Sequence, residues 1–153
     1  LPIVVQGDGT SLWTLTFAED FAVGFNGLLG NPAAIGEDFH ITSDEFLSWN
    51  EIYQYTAQAV GCTAQIVHVT SERICQFDPD YTGSLLGDKS VSALFDNSKI
   101  KRLVPDFHAQ TPFCEGIKHT IAWFEADPKR QLIDPETNQL IERLVADARR
   151  PIV

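Results

Sequence analysis

The 153-residue chain has no methionine, three cysteines, four histidines and about half as many basic as acidic side chains. Each shortage excludes something. Lys+Arg at 11 against Asp+Glu at 21 gives a formal net charge of −10. That field repels a phosphate backbone and leaves no basic stripe, so no nucleic-acid partner is expected. No apolar run approaches the ~20 residues of a membrane span and no leader pattern is visible, so no membrane partner is expected either. Cys62, Cys75 and Cys114 are scattered with no C-x-x-C, which predicts reduced thiols and a cytoplasmic protein. His40, His68, His108 and His119 form no i,i+4 pair and have no cysteine at zinc spacing. No metal site is expected, and His40 and His68, in apolar strand-like runs, read as hydrogen-bonded structural imidazoles. No G-x-S-x-G is present, so no nucleophile elbow is expected. Tyr53, Tyr55 and Tyr81 each lack a lysine four residues on. With no methionine and a start at Leu1, the expectation is a processed or excised piece of a longer protein.

What is there is ordinary globular material. With 44% hydrophobic and 21% charged residues, the chain suffices for one domain with a core. Ile3-Val4-Val5 is a short β-branched run ending in a turn at Asp8-Gly9. Gly7-x-Gly9 is not a dinucleotide loop. Leu12 stands at the third glycine position, and β-prone Trp13-Thr14-Leu15-Thr16 follows instead of a helix. Thr16 and Glu19 read as a capping box opening a helix with Phe21, Phe25, Leu28 and Leu29 as one buried stripe. Asp20, at the start of that helix, reads as a capping and dipole residue. Gly24 and Gly27 cost the helix about 1 kcal/mol each, which predicts a close approach of another backbone there. Glu37 to Thr42 reads as a strand. Ser48 and Glu51 form a second capping box for a helix reaching Gly61. Ala64 to Thr70 reads as a strand, and Ser92 to Phe95 as a brief one. Asp96 caps a short helix ending before Pro105. Thr111-Pro112 and Asp134-Pro135-Glu136 open two further helices with proline at the first helical position. Lys99 reads as a solvated surface cation.

Three patches then carry a resemblance. They are the run Gly7 to Ala22; Phe39-His40-Ile41-Thr42 with the Ser48-capped helix; and Phe95-Asp96-Asn97-Ser98-Lys99-Ile100-Lys101-Arg102-Leu103 followed by Pro112 to Trp123. In order and spacing, from Leu1 to about Asp127, they resemble the C-terminal, substrate-binding part of the extended short-chain dehydrogenase/reductases, the NAD-dependent epimerase/dehydratase family. The resemblance implies an α/β fold: rim strands and helices of a Rossmann-type sheet (residues 1–63), a small α/β substrate-binding lobe (64–127) and a C-terminal helix (128–153). It implies an intact parent that uses NAD or NADP for epimerisation, dehydration or reduction of a small-molecule substrate. The family's cofactor loop and catalytic Tyr-x-x-x-Lys belong to the N-terminal Rossmann half, so this chain is expected to bind no cofactor and to hold no catalytic residue.

The resemblance also assigns site residues. Sugar-nucleotide epimerases of the family carry an arginine at the position of Trp13 and another at the position of Leu85, opening an Arg-x-Gly-Asp motif. Here that motif reads Leu85-Leu86-Gly87-Asp88, and only Gly87 and Asp88 keep the pattern. A guanidinium fork is the natural partner of a diphosphate. Trp13 and Leu85 therefore imply a substrate other than a nucleotide sugar, held near Trp13, Leu85 and Asp88. Trp13 has two readings, as a stacking surface for substrate or as inter-strand core. A non-catalytic binding or regulatory module on the same fold is the alternative function. A homodimer is expected if the edges that the N-terminal half would cover are left open.

Overall fold

The computed structural model describes residues 2–150. Strand β1 (Ile3–Gln6) and strand β4 (Ile66–Val69) lie parallel, with Ile3 opposite Ile66 and Gln6 opposite Val69. A parallel pair needs a crossover. Here it contains strand β2 (Leu12–Trp13), helix α1 (Ala18–Leu28), strand β3 (Leu47–Ser48) and helix α2 (Trp49–Ala59). β2 and β3 pair antiparallel, with Trp13 opposite Leu47. After β4 come α3 (Ser71–Phe77), the short α4 (Thr82–Ser84) running into a π-helical turn at Leu85–Lys89, then α5 (Ser98–Leu103), α6 (Phe113–Glu125) and α7 (Pro135–Ala148).

Two apolar clusters hold these elements. Val69, Ile74, Leu85, Leu140 and Leu144 are buried together beneath β1, with Val4, Val67 and Tyr81 against them. This cluster docks α7 on the sheet and on α3. The second joins Ile100, Val104 and Phe107 to Leu28, Phe39 and Ile41, fastening α5 and its following turn to α1.

Local chemistry set several boundaries as expected. Ser48 Oγ accepts from the Glu51 amide at 3.3 Å, and Glu51 Oε2 accepts from the Ser48 amide at 2.8 Å, completing the capping box of α2. Asp134 accepts from the Glu136 amide and Pro135 takes the first helical position of α7. Asp96, expected as the cap of α5, stands one residue before it: Asn97 holds the cap position without a side-chain bond, and Asp96 accepts from the Ser98 amide. Pro112, expected at the first helical position of α6, stands one residue earlier, at its cap.

Other expectations failed. Thr16 does not cap α1. Phe17 stands at the cap without a side-chain bond, and Thr16 Oγ1 instead accepts from the Ser43 amide at 2.9 Å. Tying two loops together won over closing a helix end. Phe21, Phe25 and Leu29 are exposed, at 43%, 47% and 62%, so of the expected stripe only Leu28 packs against an apolar cluster. The inward face is the glycine face. A Cβ on Gly24 would meet Ile41 and Phe107, and one on Gly27 would meet Val104. Side chains, not a backbone, fill that space. Asp20 is buried and accepts from the Thr111 amide at 2.9 Å. It anchors the entry to α6 and does not cap its own helix. Residues 37–42 and 92–95 form no ladder among the described residues, although the Ala93 amide donates to the Leu12 carbonyl at 2.9 Å.

Candidate functional site

The end of β1 organises the site. An apolar run ending in a polar residue just before a turn places that residue at the mouth of the sheet. Gln6 is that residue: it is 8% exposed, and its Nε2 has no hydrogen-bond partner. The turn beyond it closes through the Gly9 amide to the Gln6 carbonyl at 3.2 Å. Gly7 and Gly9 have φ of 60° and 71°, a region that favours glycine. Asn50 then clamps the turn to α2. Its backbone amide donates to the Gly9 carbonyl at 3.1 Å and its Nδ2 to the Asp8 carbonyl at 2.9 Å. Asn50 Oδ1 lies 2.8 Å from His68 Nε2, so His68 is the hydrogen-bonded structural imidazole that its strand position suggested.

Two cavities meet at Gln6 and Lys89, which line both. The first, of about 300 Å³, is walled by Trp49, Tyr53, Tyr81, Leu85, Leu140 and Leu144 among others. Trp49 Nε1 is buried and unpartnered. Burial pushes the Tyr53 phenol up, and Tyr81 adds to the shift, which favours the neutral hydroxyl. An apolar chamber with a few convergent polar groups is the usual form of a small-molecule site. The second cavity, of about 380 Å³, is lined by the 7–11 turn, Ser71, Lys89, Ser90 and Ser92.

Of the residues singled out from sequence, Leu85 lines the first cavity, and Trp13 and Asp88 line neither. Trp13 lies beside Trp49, ring centroids 5.3 Å apart, and the Lys89 ammonium stands 5.6 Å from the Trp13 ring. Leu85 is 6% exposed within the core beneath β1 and also forms part of the wall of the first cavity. Asp88 lies 3.9 Å from Lys89 and lines neither cavity. Leu85 to Lys89 form the π-helical turn, closed by the Ser90 amide to the Leu85 carbonyl at 3.0 Å. Such turns are frequent at functional sites because they re-aim side chains. Sequence reasoning missed Gln6, Tyr53 and Lys89. A polar residue closing the Ile3-Val4-Val5 run was a visible signal for Gln6, and Lys89 follows the Gly87-Asp88 pair directly. Tyr53 carried none. Among the described residues no cluster of His, Cys, Asp and Glu has the makings of a metal site, and no helix is long and apolar enough to cross a membrane.

The backbone is shared with known enzymes. A UDP-glucuronic acid 4-epimerase from Bacillus cereus, solved with UDP-glucuronic acid and NAD, superposes with a TM-score of 0.65 at 20% identity, over 82% of this chain and 35% of that one. A dTDP-glucose 4,6-dehydratase from Bacillus anthracis, solved with NAD, gives 0.62 at 18% identity over 84% and 36%. MoeE5, solved with UDP-glucuronic acid and NAD, gives 0.57 at 21% identity over 82% and 37%. The fold is that of part of a Rossmann-type extended short-chain dehydrogenase. The chain spans about a third of the length of these extended short-chain dehydrogenases. No family profile matches the sequence, and no curated protein does.

Proposed function

We propose that this chain is the substrate-binding C-terminal part of an NAD(P)-dependent epimerase, dehydratase or reductase, with residues 64–127 as its substrate lobe, and that its substrate is not a nucleotide sugar. The observation that carries the reading is the make-up of the paired cavities. They lie in a portion of the extended short-chain dehydrogenase fold, yet of the two positions that would supply arginines one holds Leu85, in the wall of the first cavity, and the other Trp13, outside the lining of both. Lys89 is the one cation among the residues lining the two cavities. A diphosphate needs more than a single ammonium with a carboxylate 3.9 Å away.

In this reading the parent works in the cytoplasm and transfers hydride between nicotinamide and a substrate hydroxyl or carbonyl. The cofactor supplies the redox chemistry. The cofactor loop and Tyr/Lys pair come from an N-terminal Rossmann half. This chain binds and orients the substrate: aromatic rings and leucines exclude water on one side, and Gln6, Tyr53 and Lys89 offer hydrogen bonds on the other.

Calorimetry tests the reading directly. Titration of this chain with NAD or NADP should stay flat at ~1 mM, a concentration that reveals any binding stronger than about 4 kcal/mol. Saturable micromolar binding would sink the division of labour. A UDP-sugar should likewise bind poorly. Trp13→Arg should raise UDP affinity about tenfold, the value of one well-placed charge-assisted hydrogen bond. The partner change at position 85 is unsuitable, because an arginine there would bury its charge among Val69, Ile74 and Leu144. Tight UDP-sugar binding by the unaltered chain would refute the substrate assignment.

A further inference from the structure

The first cavity has apolar walls and few polar groups, and these can be read one by one. Trp49 Nε1 and Gln6 Nε2 are sealed within the protein and donate to no ligand, which leaves Gln6 only its side-chain oxygen. Ser84 Oγ donates to the Tyr81 carbonyl at 3.1 Å and Thr137 Oγ1 to Asp134 Oδ2 at 2.6 Å. Both of those protons are spent. Tyr53 and Tyr81 differ. Neither hydroxyl bonds within the described residues and neither is among the sealed atoms, so each keeps a proton to give from an accessible oxygen. The two phenols lie close enough for Tyr81 to raise the Tyr53 phenol further. Lys89 is the third free donor and the one ionised side chain in the lining. Its side chain is 32% exposed, and Asp88 stands 3.9 Å from the ammonium, beyond hydrogen-bond distance. An ammonium on a flexible four-carbon stem re-aims readily.

From this set we propose that the first cavity binds an aromatic monocarboxylate, its ring among Trp49, Tyr53 and Tyr81 and its carboxylate on the Lys89 ammonium. The inference rests on the reading of this chain as a substrate-binding part and names the substrate class of that site. Charge decides the head group. One cation and no carboxylate line the cavity, so one negative charge is balanced there. A cationic head would meet Lys89 unopposed, and a diphosphate brings more charge than one ammonium offsets. The free donors agree: Tyr53, Tyr81 and Lys89 all have protons to give, and a carboxylate only accepts. The walls decide the body. Val4, Ile74, Leu85, Leu140 and Leu144 offer no side-chain polar atom, so a hydroxylated body would lose its water with nothing in exchange. Trp49 and Tyr53, ring centroids 6.2 Å apart, favour a third ring, which gains beside them beyond its burial. The volume, about 300 Å³, lies at the lower end of the small-ligand range of roughly 300–1,000 Å³, which suits one ring on a short chain.

The test is nitrogen-15 NMR on the 153-residue chain, following the Trp49 indole signal, whose ring walls the cavity and is assigned with Trp49→Phe. The probes are 3-phenylpropionate, 3-phenylpropylamine and acetate. Phenylpropionate should shift the Trp49 signal saturably at ~5 mM, as fragment-sized ligands do. Acetate, which lacks the apolar body, and the amine, which carries the wrong charge, should each bind at least about tenfold more weakly. Lys89→Gln should weaken phenylpropionate about tenfold, the worth of one charge-assisted hydrogen bond. Should Lys89→Gln fail to fold, Tyr53→Phe, which keeps the ring, should weaken it about fivefold. The inference is overturned by a Trp49 signal that ignores phenylpropionate, by acetate or the amine binding as tightly, or by an unchanged affinity in the folded variant. None of these results touches the assignment as a substrate-binding part, which stands or falls on the flat NAD titration and on a cofactor loop and Tyr-x-x-x-Lys encoded upstream.

Discussion

At the scale of single residues, hydrogen bonds decided where helices begin. Ser48 and Thr16 head similar tetrads, yet only Ser48 caps. Ser48 finds Glu51 alone, whereas Thr16 lies within reach of the Ser43 amide. Ser48→Ala should therefore lower stability by about 1 kcal/mol in urea denaturation. Thr16→Ala acts differently, by loosening the loop before β3 and leaving α1 intact. Gly24 makes a second residue-level prediction. Alanine there gains about 1 kcal/mol of helix propensity. Its Cβ would stand 2.6 Å from Ile41 Cγ2 and 2.9 Å from Phe107 Cδ2. Phe107 is fully buried and cannot move aside, so overpacking at about 1–3 kcal/mol wins. Gly24→Ala should lower the urea midpoint; a raised midpoint would show that α1 and the Phe107 turn are not packed this way.

Elements are joined by a few definite contacts, of which the pair between α3 and α7 is the clearest. Arg73 Nε and Nη2 donate to the two Asp147 carboxylate oxygens, each at 2.7 Å. The guanidinium holds the Asp147 carboxyl below the ordinary carboxylate range, and Asp147 raises Arg73 in turn. A depressed folded-state pKa contributes stability that is fully present above the unfolded value and is lost as pH falls through the folded value. Thermal melts should show α7 contributing less as pH drops below the usual carboxylate range. Asp147→Asn should lower the melting temperature at pH 7 and flatten that acid-side slope. Arg73 is 43% exposed, so solvent screening keeps the effect modest. An Asp147→Asn protein with the same slope as the parent would rule the pair out as its cause.

For the whole molecule, the arrangement leaves surface that proteins seldom leave open. The two-stranded parallel sheet has two free edges among the described residues, although parallel sheets are ordinarily covered on both faces and extended at both sides. Phe21 and Phe25 stack 5.9 Å apart on the outside of α1, beside Leu29. α7, the element with an apolar face free to cover them, packs instead against β1, β4 and α3. Exposed patches of this kind mark interaction surfaces. The chain alone is expected to self-associate, as a two-fold dimer through that face or edge. Light scattering at ~10 µM, where contacts worth about 7 kcal/mol begin to register, should exceed the 17.0 kDa of one chain. Phe25→Ser should return it to that mass. A monomer at 17.0 kDa that binds no hydrophobic dye would overturn the expectation.

The sequence determined by itself whatever depends on neighbours within a turn or two. Ser48 with Glu51 fixed the start of α2, Asp134-Pro135 that of α7, and the β-branched runs fixed β1 and β4. The order of its motifs was enough to give the extended short-chain dehydrogenase fold. The tertiary structure decided what depends on partners far along the chain. Thr16 took Ser43 as its partner and Asp20 took Thr111, choices that no local pattern encodes. The stripe of Phe21 and Phe25 had the right period for burial, but Phe107 and Val104 docked on the glycine face instead. Gln6, Tyr53 and Lys89 are 83 residues apart from first to last, and the parallel pairing of β1 with β4 and the π-helical turn bring them to one place. Hydrophobic period and capping are properties of a few consecutive residues. Which face meets which neighbour, and which polar atom is buried without a partner, is settled when distant segments compete for the same space.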